Sequence, residues 1–241
     1  MPMPNLIRKL FKQNAPPLPL AARHIEYSAI VSADDDVAAP SDALIDIALK
    51  SVNRARRISM QAVTARMKNP PFWPEVWPGE HYKLLAGIVA EIAPKTVVEI
   101  GTAAGLSALA MLQTLPTNAS LHTFDIIPWD QFPDTCLQKG DFVEGRLQQW
   151  IGDVGDVEVM RQHAGLFSCA DFIFIDGPKD GIFEQKLLDQ FCSMELAGRP
   201  LLLFDDIRVW NMLAIWRRIK KPKLDLTSFG HWSGTGLVTW V

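Results

Sequence analysis

The chain has 241 residues, of which 48% are hydrophobic and 21% charged, with a formal net charge of −3. That length suits one large domain or a domain with an appendage, and the charge balance lacks the basic excess a nucleic-acid surface needs. Cys136, Cys169 and Cys192 are odd in number, widely spaced and form no CxxC pair, which reads as reduced thiols in a cytoplasmic protein and excludes a disulfide framework or zinc knuckle.

In chain order, "MPMPNLIRKLFKQ" has no long apolar segment or small-residue cleavage site, so no secretory leader is expected. No apolar run approaches the roughly 18 to 20 residues needed to span a bilayer. Residues 1 to 40 are rich in Pro, Ala and Asp and read as an irregular arm. Ser41 and Asp42 look like the cap of a helix through "ALIDIALKSVNRARRISMQAVTARM", with basic residues towards its end as the macrodipole favours. The prolines of "NPPFWPEVWPGE" break that pattern and predict a linker and loop.

From His81 onward, helical and apolar strand-like segments alternate. "HYKLLAGIVAEIA" predicts a helix, "KTVVEIG" a buried strand, "AGLSALAMLQTL" a helix and "SLHTFDI" a strand. A looped region with "IPWDQFPDT" and a helix lead to the strand "LQQWIGD". Then follow the helix "VEVMRQHAG", the strand "ADFIFIDG", the helix "FEQKLLDQFCSM", the strand "RPLLLFDD" and the helix "WNMLAIWRRI". "KLDLTSFGHWSGTGLVTWV" closes the chain as two strands around a Gly/Ser turn. This alternation predicts a doubly wound α/β fold, a mostly parallel sheet with an antiparallel C-terminal hairpin. The domain is expected over residues 71–241, and residues 1–70 form an N-terminal arm and helical extension. For the arm and helix, a lid and a homodimer contact are both open.

In such a sheet, ligands sit outside the carboxyl ends of the strands. The first strand presents Glu99, Gly101 and Thr102 there and, across the turn, Gly105 and Ser107. The next four end on Asp125, on Asp153, on Asp176, and on Asp205 with Asp206. A single Asp at a strand end is ordinary turn and cap chemistry, but five strands ending in or near carboxylates on one edge exceed what turns require. The Gly-x-x-x-Gly turn lacks the middle glycine of a dinucleotide fingerprint. Its glycines still let a ligand approach the backbone at a helix start. Asp125 lies 24 residues after Gly101, a spacing suited to gripping a ribose diol.

These segments carry a resemblance. "VVEIGTAAGLSALAML" with "FDI" and "IGD" resembles the cofactor site of class I S-adenosylmethionine-dependent methyltransferases, which have a Rossmann-like seven-stranded sheet. "WPGEHYKLLAGIV", "FIFIDGPKDGIFEQKLLDQF" and "LLLFDDIRVWN" resemble the metal-dependent O-methyltransferases of the catechol and caffeoyl-CoA type. The Asp-Asp pair is similar to that of the macrocin-type sugar O-methyltransferases. The likeness spans about residues 78 to 215.

The resemblance implies that Glu99, Gly101, Thr102, Gly105 and Ser107 face the methionine and backbone side of S-adenosylmethionine. Asp125 would take the ribose hydroxyls, Asp153 would lie near the adenine, and Asp176 would border both cofactor and metal. Asp176, Asp205 and Asp206 would hold magnesium or a similar divalent cation, and Lys179 would assist deprotonation of a small hydroxylated acceptor. Asp206 stands where the family usually has Asn, and it could instead cap the helix near Val209. His231 could be a base, a pocket wall or a turn histidine. Trp73, Trp77, Trp129, Trp210 and Trp232 could line the acceptor pocket or anchor packing. Methyl transfer needs donor and acceptor aligned, and an all-oxygen cation site lowers the pKa of the hydroxyl. A nicotinamide-dependent oxidoreductase and a non-catalytic scaffold are the alternatives. The missing glycine and the terminal hairpin oppose the first, and the carboxylate set opposes the second.

Overall fold

The structure, a computed structural model, describes residues 30, 32–68, 73–209 and 211–241, with the side chain of Trp73 excepted. Most of the expected N-terminal arm and Trp210 therefore lie outside the described residues. The sheet comprises β1 (Thr96–Ile100), β2 (Ser120–Asp125), β3 (Leu147–Ile151), β4 (Phe172–Ile175), β5 (Leu201–Asp205), β6 (Lys223–Asp225) and β7 (Thr235–Thr239). The seven strands lie in the order β3-β2-β1-β4-β5-β7-β6. β1 to β5 pair in parallel, and β7 runs antiparallel between β5 and β6. The fold is the doubly wound sheet expected from the alternating pattern.

The helices are α1 (Asp42–Ala55), the single turn α2 (Gln61–Thr64), α3 (Tyr82–Ile92), α4 (Leu106–Leu112), α5 (Val157–Gln162), α6 (Ala164–Cys169), α7 (Phe183–Ser193) and α8 (Met212–Arg218). Because successive strand side chains point to opposite faces, the central strands feed two cores. Val97, Phe172, Phe174 and Leu203 join one core with Leu44, Leu84 and Met111. Val98, Ile173, Ile175 and Leu202 join the other with Phe167, Leu187 and Trp216. Strands buried on both faces explain why their sequences are continuously apolar. Among the described residues, no helix is long and apolar enough to cross a membrane.

Three local expectations are corrected. The long helix from Ser41 is capped as expected, with Leu44 N donating to Ser41 Oγ at 3.2 Å, but it stops at Ala55. The chain turns there to bury Met60 and Val63, and the Met60 N–H donates to Glu75 Oε1 at 2.6 Å. The segment from Pro128 to Gly145 forms two 3-10 turns, Trp129–Gln131 and Lys139–Phe142, where an α-helix was expected. Proline and glycine at 128, 133, 140 and 145 interrupt any longer ladder. Within the arm, Ala33–Ala38 is a 3-10 helix whose buried Asp35 is clamped by Arg217 at 2.7 Å and Lys220 at 3.4 Å.

The extension helix α1 crosses α3 closely at Gly87. A methyl group added there would meet Ser51 O at 2.5 Å and Ala55 N at 3.0 Å. Gly87→Ala is expected to lower stability by about 1–3 kcal/mol through overpacking. Urea unfolding should show a lower midpoint at unchanged slope, and an unmoved midpoint would refute that close crossing.

Candidate functional site

Parallel pairing sets the carboxyl ends of β1, β4 and β5 side by side. Ile100 is opposite Ile175, which is opposite Phe204. The next residues, Gly101 and Asp176 at the start of their loops and Asp205 as the last residue of β5, therefore lie at one edge. The antiparallel β7 starts where β5 ends, with Thr235 opposite Asp205. This brings the turn carrying His231 and Ser233 to the same edge.

A cavity of about 420 Å³ opens over β1, β2 and β4, within the range of small-molecule sites. Of the expected cofactor residues, Gly101, Asp125, Asp153 and Asp176 line it. Gly101 has φ +101, and a Cβ there would lie 2.2 Å from Asp176 O, so only glycine fits. Asp125 accepts the Ala103 N–H at 2.9 Å and the Ile127 N–H at 3.0 Å. A carboxylate offers about four acceptor sites, so capacity for a diol remains. Asp153 Oδ1 accepts the Gly155 N–H at 2.8 Å.

The other expected cofactor residues, Glu99, Thr102, Gly105 and Ser107, are not among the residues lining this cavity. The Thr102 and Thr123 hydroxyls pair at 2.7 Å. Gly105, with φ +82, lies against Leu137. Ser107 is buried near Glu99, whose two carboxyl oxygens lack a hydrogen bond of good geometry. Burial pushes the Glu99 carboxyl up to about 7, against the pull of the Ser107 and Thr123 hydroxyls. The sequence did not single out Ile126, Val154, Ile182 and Phe183 in the cavity lining. Ile126 is 70% exposed, and its one sequence signal was an apolar residue following a strand-end acid.

Asp176 also belongs to a second group. Lys179 forms ion pairs with Asp176 and, at 3.1 Å, with Asp206. The lysine is no solvated loop residue, since its side chain is 13% exposed. Glu184 shapes that loop by accepting the N–H groups of Lys179 at 2.8 Å and Gly181 at 2.9 Å. Lys179 and Asp206 both occupy the left-handed region, at φ +60 and +59, a conformation costly outside glycine. Asp206 also accepts a hydrogen bond from the Ser233 hydroxyl. One oxygen each of Asp176, Asp205 and Asp206 lies within 4.8 Å of the others, a donor set suited to a hard cation.

Asp205 faces imidazoles. His231 Nδ1 is 3.0 Å from Asp205 Oδ1, and His81 Nδ1 is 3.5 Å from Asp205 Oδ2. Burial would raise the Asp205 pKa, but the two histidines reverse this and hold it well below the ordinary carboxylate range. Burial opposes charge on His81, yet Asp205 wins and pushes it up to about 9. Burial likewise opposes charge on Lys179, and Asp176 and Asp206 outweigh it, so its pKa rises. Lys179 is therefore a donor in this arrangement. Burial and Asp205 raise the Asp176 pKa against the pull of Lys179.

His81, Glu80 and Ser233 were not read as site residues from the sequence. Of the tryptophans, Trp129 packs on Phe142 at 5.1 Å, Trp77 packs partly buried against the core, and Trp232 stands 71% exposed beside His231.

Residues 98–207 match a family model described as a methyltransferase domain. Catechol O-methyltransferase B of Danio rerio is 28% identical over 130 residues, covering 49% of this chain and 45% of the relative. Catechol O-methyltransferase of Mus musculus is 27% identical over 122 residues, covering 50% and 45%. Each match thus spans about half this chain and less than half of the relative. An SAH-bound methyltransferase of Podospora anserina superposes with TM-score 0.51 at 18% identity, covering 94% of this chain and 98% of that one. An O-methyltransferase of Bacillus cereus in complex with SAH gives 0.52 at 15% identity, covering 86% and 94%. At these identities the two structures speak for the fold. The matched segment is similar to a methyltransferase domain, the sheet order agrees with the fold of the two SAH-bound structures, and about half of the chain resembles the catechol O-methyltransferases.

The buried Glu99 gives a pH test. Its pKa is raised in the fold from the ordinary 4.5 to about 7, so its contribution is full below 4.5 and lost as pH rises through 7. The loss is of the order of 3 kcal/mol. Glu99→Gln, which stays neutral, should flatten stability between those pH values and exceed the wild type above pH 7. Parallel urea-derived stability curves for the two proteins would refute the raised pKa.

Proposed function

We propose that the protein transfers the methyl group of S-adenosylmethionine to a hydroxyl of a small molecule, with help from a divalent cation. The observation that carries this reading is the double membership of Asp176. It lines the cavity at Gly101 and also pairs with Lys179, so the donor pocket adjoins the groups that handle charge and protons.

The sulfonium supplies an activated methyl group, and the chain's task is alignment and control of the acceptor proton. Gly101 admits the donor against the backbone, Asp125 accepts its ribose hydroxyls, and Asp153 sits on the adenine side. Ile126 and Phe183 give apolar surface for the base and exclude water from the pocket. The Lys179 ammonium, held by Asp176 and Asp206, is placed to stabilise an acceptor oxyanion. The Asp176 carboxylate, whose pKa burial and Asp205 raise, is the proton acceptor. The carboxylates of Asp176, Asp205 and Asp206 fit magnesium or a similar ion, which would lower the pKa of the hydroxyl. Asp176 and Asp206 also hold Lys179, which would compete with such an ion for them.

Equilibrium dialysis with labelled S-adenosylmethionine should give saturable binding. Asp125→Asn is expected to weaken it roughly 10- to 100-fold, the scale of a hydrogen bond to a charged group; unchanged affinity would reject the ribose assignment. Label should pass to a hydroxylated acceptor in a panel of phenols, catechols and sugars. A chelator should stop this transfer and magnesium restore it, whereas transfer indifferent to chelator would remove the cation from the reading.

A further inference from the structure

The carboxylate edge carries a second donor set whose chemistry differs from that of an all-oxygen site. Residues 79–81 are fixed against the turn before β7 by backbone hydrogen bonds. Gly79 N donates to Gly230 O at 3.1 Å, and Trp232 N donates to Gly79 O at 3.1 Å. This pairing sets His81 and His231 about one carboxylate, with ring centroids 5.0 Å apart. His81 is 4% exposed and packs on Phe174. Its Nδ1 is buried without a hydrogen-bond partner, and its 3.5 Å approach to Asp205 Oδ2 is outside hydrogen-bond geometry. Buried polar atoms are otherwise almost always satisfied. His231 presents Nδ1 to Asp205 and Nε2 to Glu80 Oε2 at 3.6 Å.

We propose that His81, Asp205 and His231 bind a divalent transition-metal ion through two imidazole nitrogens and one carboxylate oxygen. One ligand atom from each residue lies within 4.8 Å of the others. With metal–ligand bonds near 2.1 Å, neighbouring ligands stand about 3.0 Å apart in an octahedron and about 3.4 Å in a tetrahedron. The separations to the single oxygen Asp205 Oδ2, 3.1 Å from His231 Nδ1 and 3.5 Å from His81 Nδ1, match that range. Imidazole donors select cobalt, iron, nickel or zinc over magnesium. Three protein ligands leave positions for water or another oxygen donor. Glu80 stands on the far side of the His231 ring, its Oε2 at 3.6 Å from Nε2, so a carboxylate faces the nitrogen that ligation through Nδ1 leaves protonated. Among the described residues, the Lys179 ion pairs go to Asp176 and Asp206 and those of Asp205 to the two histidines, while His231 Nδ1 also lies 3.5 Å from Asp206 Oδ1. An ion would compete with protons for the same imidazole nitrogens. The site shares Asp205 with the carboxylate set, yet its occupancy does not depend on methyl transfer.

The test is a titration of the chelator-stripped full chain with cobalt(II), followed by visible absorption. The wild type should develop ligand-field bands that excess magnesium does not bleach. His81→Gln and His231→Gln should each abolish them, and Glu80→Gln should weaken cobalt affinity roughly 10- to 100-fold. Asp176→Asn should leave the bands in place. Far-ultraviolet circular dichroism and thermal melting identify any variant that fails to fold, and His231, on a partly exposed turn, provides the decisive variant if His81→Gln unfolds. A wild type without bands overturns the site. Bands that survive both histidine substitutions but vanish in Asp176→Asn assign the ion to the carboxylates alone, and this overturns the site while leaving the cation of the proposed reaction intact.

Discussion

Gly101, Asp176 and Asp205 become neighbours because β1, β4 and β5 run in parallel and end in register. Parallel strands joined by helical crossovers deliver their carboxyl ends to one edge. Asp176, 75 positions beyond Gly101, thereby lines one cavity with it, and Asp205, 104 positions beyond, ends its strand at the same edge. The antiparallel β7 completes the edge from the opposite direction. It begins at Thr235 beside Asp205 and so carries His231 and Ser233 to the place where β5 stops. Both the cavity and the charged cluster rest on this alignment, since a one-residue slip would turn each of these side chains to the opposite face.

Crowded carboxylates create the next constraint. Asp176, Asp205, Asp206 and Glu80 share a partly desolvated edge, where unpaired negative charges would be costly. Three cationic or protonatable groups answer them. Lys179 binds Asp176 and Asp206, while His81 and His231 flank Asp205. The backbone is bent to achieve it, with Lys179 and Asp206 at positive φ and Glu184 holding the lysine loop. Strain of this kind persists where surrounding structure over-determines it. Here the surrounding structure is two buried strands and a helix whose first turn is anchored by Asp180.

The row of acids was the more legible part of the edge. Asp125, Asp153, Asp176 and Asp205 could be found because each ends a strand-like segment, and strand ends are local features. Gly101 was legible for the same reason. Thr102, Gly105 and Ser107 were equally visible, yet their surroundings depend on Thr123, Leu137 and Glu99. No pattern in one segment reports which side of a turn meets another strand. The helix expected to run beyond Ala55 failed on similar grounds. Its periodicity continues, but Met60 and Glu75 meet across the chain and redirect it.

By itself, the sequence determined the order of strands and helices, the parallel sheet with its terminal hairpin, and the row of acids at one edge. Those follow from apolar periodicity and from glycine and aspartate at run ends, which act over a few residues. Tertiary structure alone decided that Lys179 neutralises Asp176 and Asp206, and that His81 meets His231 from 150 positions away. It also decided that Glu99 is sealed in the core. These are relations of distance and dielectric between segments, and they exist only once the strands are in register and water has been excluded from between them.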